Sequence, residues 1–139
     1  MQTKQKAEGI LRKMFQGGLI KRMPKNHDDA LFFLALAASS FDSQCVYSES
    51  EVNHHLVEWL VGFTQADEMD HVTVRRYLVD FQMLMRDSSG TEYRTNQTVI
   101  NNVIEPAARS IQPRYVMEAV RVERLRRKRA ATKTPISCT

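Results

Sequence analysis

The sequence is short of cysteine, of glycine and of long apolar runs, and each shortage closes off a class of protein. Its two cysteines, Cys45 and Cys138, stand far apart in 139 residues. They form neither a disulfide framework nor a zinc-type spacing, so free thiols in a reducing cytoplasm are the simplest expectation. No stretch of about 18 apolar residues occurs, and no membrane-spanning helix is expected. The opening Met1-Gln2-Thr3-Lys4-Gln5-Lys6 leads into an amphipathic stretch rather than an apolar signal core, which argues against secretion. The five glycines nowhere gather into a phosphate-cradling loop. There is no G-x-S-x-G turn, and Ser39-Ser40 and Ser88-Ser89 lie beside no evident base. Catalysis is therefore not expected, nor is a cofactor. No internal repeat is found.

What is present is a composition ordinary for one globular domain, 42% hydrophobic and 26% charged, which is enough apolar material to build a core. The net charge of +4 hides a strong asymmetry. Residues 1–27 carry seven basic residues and one acid, residues 28–108 carry four basic residues and thirteen acids, and residues 109–139 carry nine basic residues and two acids. The middle is acidic (−9) and both ends are basic (+6 and +7). Such a distribution points either to a nucleic-acid partner for the ends or to pairing of the ends with the middle.

Periodicity supplies the elements. Ile10, Leu11, Met14 and Phe15 form an apolar stripe on a basic helix over Lys4 to Gln16, which Gly17-Gly18 ends. The segment Asp28 to Phe41 is apolar on most sides and belongs at the centre of the core, with Asn26 or Asp28 as its cap. Ser48-Glu49-Ser50-Glu51 is a capping box, and the helix it opens buries Val52, Leu56, Trp59, Leu60 and Phe63. Asp70 caps a further helix whose inner stripe is Val74, Tyr77, Leu78 and Phe81. Two short strands follow, Met83 to Arg86 and Thr91 to Thr95, joined by the turn Asp87-Ser88-Ser89-Gly90. From Thr98 a helical pattern resumes through Ile111, interrupted by Pro106. A last helix starts near Pro113 and runs to Arg129, and the end from Ala130 to Thr139 is expected to fray.

Three helices followed by a hairpin is the order of a winged helix-turn-helix, so the expected fold is mainly α with a small β-hairpin and flanking basic helices. Three blocks sharpen this expectation: Tyr47-Ser48-Glu49-Ser50-Glu51-Val52-Asn53, then Asp70-His71-Val72-Thr73-Val74-Arg75-Arg76-Tyr77-Leu78-Val79-Asp80, then Met85-Arg86-Asp87-Ser88-Ser89-Gly90-Thr91-Glu92-Tyr93. Together and in this order they resemble the bacterial domain-of-unknown-function 2087 family, over roughly Met23 to Arg94. The resemblance implies a winged-helix architecture of the kind that accompanies transcription-regulator domains. The acidic balance of the matched segment departs from what a phosphate-facing surface wants.

Candidate binding residues follow from that layout. Arg75 and Arg76 lie off the inner stripe of the third helix. They are placed either to reach phosphates and guanine edges, with His71 and Thr73 beside them, or to pair with nearby acids. Arg86 and Arg94 flank the wing, where they are either backbone contacts or ordinary cross-strand residues. Arg124, Arg126, Arg127, Lys128 and Arg129, with Arg121, crowd less than three helical turns, as a basic arm along nucleic acid would, or as a solvated or docked tail would. His54 and Glu58, and Glu51 and His55, are spaced four apart, but nothing ties a third ligand to them and no metal site is expected. The chain therefore divides into a basic arm over 1–25, a winged-helix domain over 26–96 and a helical extension with a basic tail over 97–139. The leading expectation is a cytoplasmic, DNA-binding, transcription-regulator-like protein that meets double-stranded DNA and pairs as a homodimer through its terminal helices. The alternative is a protein-interaction module whose acidic core docks a partner, and a third reading has the basic tails alone meeting RNA.

Overall fold

A computed structural model describes residues 3–132. The expectations for Cys138 and for the tail from residue 133 onward lie outside the described residues.

The chain is mainly helical. Helix α1 (Lys4–Met14) is capped by Thr3, whose side chain accepts from the Lys6 N–H. Helix α2 (His27–Ser39) starts at Asn26, which accepts from the Asp29 N–H. Its Phe32, Phe33, Leu34, Ala35, Leu36 and Ala37 are all buried, so α2 forms the centre of the core, as a helix apolar on most sides must. Each fully buried phenylalanine there contributes about 2–3 kcal/mol of burial free energy. Strand β1 (Tyr47–Ser48) runs into helix α3 (Glu49–Leu60), where Ser48 and Glu51 close a reciprocal capping box. Helix α4 (His71–Asp80) begins at Asp70, and strands β2 (Leu84–Arg86) and β3 (Glu92–Thr95) follow. Helix α5 (Gln97–Val103), a 3-10 turn at Pro106–Ser110 and helix α6 (Pro113–Thr132) complete the chain.

The expected two-stranded hairpin is one side of a three-stranded antiparallel sheet in the order β1-β3-β2. Tyr47 pairs with Tyr93 and Ser48 with Glu92, while Leu84, Met85 and Arg86 pair with Thr95, Arg94 and Tyr93. A strand of two residues gives no alternation to read, which is why β1 is silent in the sequence. The run expected to be helical from Thr98 to Ile111 is broken in two. Ile104 is extended (φ −133°, ψ 135°) and Pro106 opens the 3-10 turn. Proline lacks an N–H and disfavours the α region in the residue before it, so α5 stops short.

The terminal helices fold back over the domain. α1 buries Ala7, Leu11 and Phe15 and packs against α6 and the 3-10 turn. The Lys4 N–H donates to a Glu105 carboxylate oxygen at 3.0 Å, Arg12 pairs with Glu123, and Arg124 donates to the Gln16 carbonyl. One hydrophobic cluster runs from Ala7 to Ile111, so the described parts of all three segments share a core. Arg114, at the start of α6, holds the end of α3: its Nε donates to the Val61 carbonyl at 2.8 Å and its Nη2 to that of Glu58 at 2.6 Å. Those carbonyls have no partner within their own helix, and a cation at a helix C-terminus also suits the dipole. Among the described residues, no helix is long and apolar enough to cross a membrane.

Candidate nucleic-acid interface

The candidate residues sit on α4, on the β2–β3 hairpin and on the outer half of α6. In α4, Val74 and Leu78 are fully buried and fix the rotation of the helix against α3, β2 and α2. The Asp70 carboxylate accepts from the Thr73 N–H at 2.8 Å. That bond holds its pKa below the usual aspartate value and fastens the first turn. His71 and Thr73 are half-buried on this turn.

The two neighbouring arginines have different fates. The Arg75 guanidinium turns back onto α3, where Nη1 meets Glu49 Oε1 at 3.3 Å and also donates to Asn53 Oδ1. Its side chain is only 17% exposed. Arg75 thus joins α4 to α3. Arg76, one step of about 100° further round the helix, is exposed. It has no hydrogen-bond or ion-pair partner among the described residues. The carboxylate that meets Arg75 is that of Glu49, not of Asp67, Glu68 or Asp80, and it works with the Asn53 amide four residues further along one face of α3.

The hairpin is built around Asp87. Its carboxylate accepts from the backbone N–H groups of Thr91 at 2.8 Å and Glu92 at 3.2 Å, and from the Ser89 hydroxyl at 3.0 Å. The Glu92 N–H, with help from those of Thr91 and the Ser89 hydroxyl, holds its pKa down to about 2. Gly90 takes the positive φ of 75° that the turn requires. Arg86 stands opposite Tyr93, and Arg94 opposite Met85. Alternation along β3 buries Tyr93 and Thr95, so Arg94 lies on the outer face with Met85 while Arg86 falls on the Tyr93 face. Both are exposed, and neither has a partner among the described residues. The structure brings them to one ribbon but onto its opposite faces.

The basic run on α6 is partly spent inside the chain. Arg121 pairs with Glu118 at 2.8 Å and Arg127 approaches Glu123 at 4.0 Å. Arg124 is on the Gln16 carbonyl, and Lys128 and Arg129 also engage other groups of the chain. Glu123 is held below the usual glutamate range, first by Arg12 and further by the fields of Arg127 and Arg126. All of these cations remain exposed.

The histidines of α3 take ordinary structural places. His54 meets Glu58 at 3.2 Å. The His55 ring lies over Phe41 with centroids 4.0 Å apart, and its Nε2 is 2.7 Å from Ser40 Oγ. Burial lowers its pKa. Among the described residues, no three His, Cys, Asp or Glu side chains gather as metal ligands would. Sequence reasoning missed the holders of Arg75 and the role of Arg114. The first had a visible signal, Glu49 and Asn53 at helical i,i+4 spacing beside a capping box; the second, a contact between residues more than fifty apart in the chain, had none.

A family model described as "Uncharacterized protein conserved in bacteria (DUF2087)" matches residues 19–95. No curated protein and no solved structure matches the chain.

Proposed function

The chain belongs to the DUF2087 family, and from that membership and the placement of its arginines we propose that it is a winged-helix, DNA-binding protein of the transcription-regulator kind. In this reading α3 and α4 are the helix-turn-helix pair. α4 enters the major groove with Arg76 foremost and His71 and Thr73 at its leading turn. The hairpin is the wing, and its two arginine-bearing faces suit a ribbon that meets phosphates on either side of a groove.

The observation that carries the reading is a failure to pair. Residues 28–108 hold thirteen acids and four arginines, yet Arg76, Arg86 and Arg94 are exposed and unclaimed among the described residues. Of the acids on α4 and the hairpin, Asp70 caps α4 and Asp87 clamps the turn. Of the two parts expected for Arg75, its contacts with Glu49 and Asn53 favour pairing within the chain. Arg75 positions α4 from behind, so its loss acts on the helix rather than on a phosphate. The α6 cations add affinity without sequence preference, by the counterions they release. A cytoplasmic homodimer belongs to the same proposal. Since α1 and α6 already cover one another, two-fold pairing would use what α6 leaves open, Tyr115 and Leu125, which are 76% and 47% exposed.

A second reading has its own support. Val57 and Val61 are 47% and 60% exposed beside a cleft at the α3–α4 connection, a surface that suits docking of a protein partner on the acidic core. Mobility shifts of random and mixed duplexes over a range of salt separate the two. The DNA reading expects binding that weakens steeply with salt and shows a sequence preference that Arg76→Ala removes. Indifference to duplex DNA even at low salt overturns it and favours the docking module.

A further inference from the structure

A cleft of about 460 Å³ lies between the end of α1, the connection over residues 17–26 and the start of α2. Its volume falls within the range of small-molecule sites, about 300–1,000 Å³. It is lined by two kinds of surface. Met14, Leu19, Ile20 and Pro24 supply an apolar wall. Lys21, Arg22 and Lys25 supply three cations, all exposed and none with an ion-pair or hydrogen-bond partner among the described residues. The single carboxylate in the lining, Asp29, is already met by Lys13 at 2.6 Å. The lining therefore carries a net charge of +3, counted as four cations against one acid.

The wall is also fixed. The Ile20 N–H donates to the Phe63 carbonyl at 3.0 Å, and the Gln65 N–H donates to the Ile20 carbonyl at 2.8 Å. These bonds hold the connection as a short parallel bridge against the residues that lead into α4. A preformed wall lowers the ordering cost of binding. A nucleic-acid backbone would satisfy the cations but would bring nothing apolar to the four side chains beneath them. A neutral apolar molecule would leave the cations without counter-charge.

We propose that this cleft binds a small amphipathic anion, a compact apolar group bearing a phosphate or carboxylate, with the apolar part on Met14, Leu19 and Pro24 and the charge among Lys21, Arg22 and Lys25. The lining shares no residue with α4 or the hairpin, and the proposal does not depend on DNA binding.

The test uses the full ¹⁵N-labelled chain titrated with phenyl phosphate at about 0.15 M salt, where exposed charges are largely screened beyond about 8 Å. Saturable amide shifts are expected at residues 13–29. The variant Lys21→Gln/Arg22→Gln/Lys25→Gln should weaken binding by roughly tenfold or more. Leu19→Gln should weaken phenyl phosphate while leaving the weaker response to inorganic phosphate unchanged. These positions are exposed, so unaltered thermal unfolding of the variants keeps the comparison valid. Equal affinity for inorganic phosphate would overturn the proposal, as would shifts spread evenly over the α6 arginines. Shifts at 13–29 with duplex DNA but not with phenyl phosphate would assign these cations to nucleic acid instead.

Discussion

Replacing Arg75 by alanine should damage stability rather than DNA contact. The Arg75 side chain is 17% exposed and links α4 to Glu49 and Asn53 on α3. A hydrogen bond from a charged donor contributes about 1.5–3 kcal/mol. The ion pair, with Glu49 half-exposed, adds about 0.5 kcal/mol at most. The sum is about 2 kcal/mol, which for a chain of this size lowers the unfolding midpoint by about 7 °C. A double-mutant cycle with Asn53→Ala should return a coupling of about 1–2 kcal/mol, because the two side chains share one bond. Arg76→Ala supplies the contrast: unfolding within about 0.5 kcal/mol of the parent, but a salt slope for duplex binding shallower by about 0.9. The slope for Arg75→Ala should be unchanged once the variant is assayed well below its midpoint. Arg75→Ala unfolding like the parent while losing a full unit of slope would refute the assignment of Arg75 to the α3–α4 contact.

Three further outcomes follow from local features. Burial lowers the His55 pKa from 6.5, so the unfolded chain binds the proton more readily; His55 should cost stability as pH falls below 6.5 and nothing above it. Urea midpoints compared at about pH 7.5 and pH 5.5 should show a drop that His55→Phe reduces, and an equal drop in the variant would refute this. Asp87, depressed from 3.8 to about 2, should hold the hairpin turn fully above pH 3.8 and release it as pH falls through about 2. The Thr91 and Glu92 amide shifts should titrate near the lower value, and a midpoint near 3.8 would refute the clamp. Gln82 holds a left-handed φ of 63° after α4, so Gln82→Gly should raise stability by about 0.5–1 kcal/mol in thermal unfolding; a fall would contradict the assigned backbone strain.

The parts of the fold that were legible in the sequence are those with a local cause. Ser48 and Glu51 announce α3, Asp70 announces α4, and the apolar run through Phe32 and Phe33 marks the central helix. Each rests on residues three or four apart, within reach of one another in any helix. The hairpin was legible for a similar reason, since the bonds of Asp87 and the positive φ of Gly90 lie within one short stretch of chain. What stayed hidden was carried by long-range contact. β1 exists only because Tyr93 and Glu92 pair with Tyr47 and Ser48. The docking of α1 on α6 rests on Arg12 with Glu123, more than a hundred residues apart. At the candidate site, periodicity placed both Arg75 and Arg76 off the inner stripe, but it could not tell which would be drawn to a neighbouring helix. That difference depends on Glu49 and Asn53 of α3, which only the tertiary fold brings to Arg75.

Chemical-shift mapping of the full ¹⁵N-labelled chain with a short duplex at about 0.15 M salt tests most directly which surface meets DNA. The arrangement predicts the largest shifts on residues 71–76 of α4 and on the arginine-bearing residues 85–94 of the hairpin, with smaller ones along the outer half of α6. Shifts confined to α1 and α6, with α4 and the hairpin silent, would contradict it.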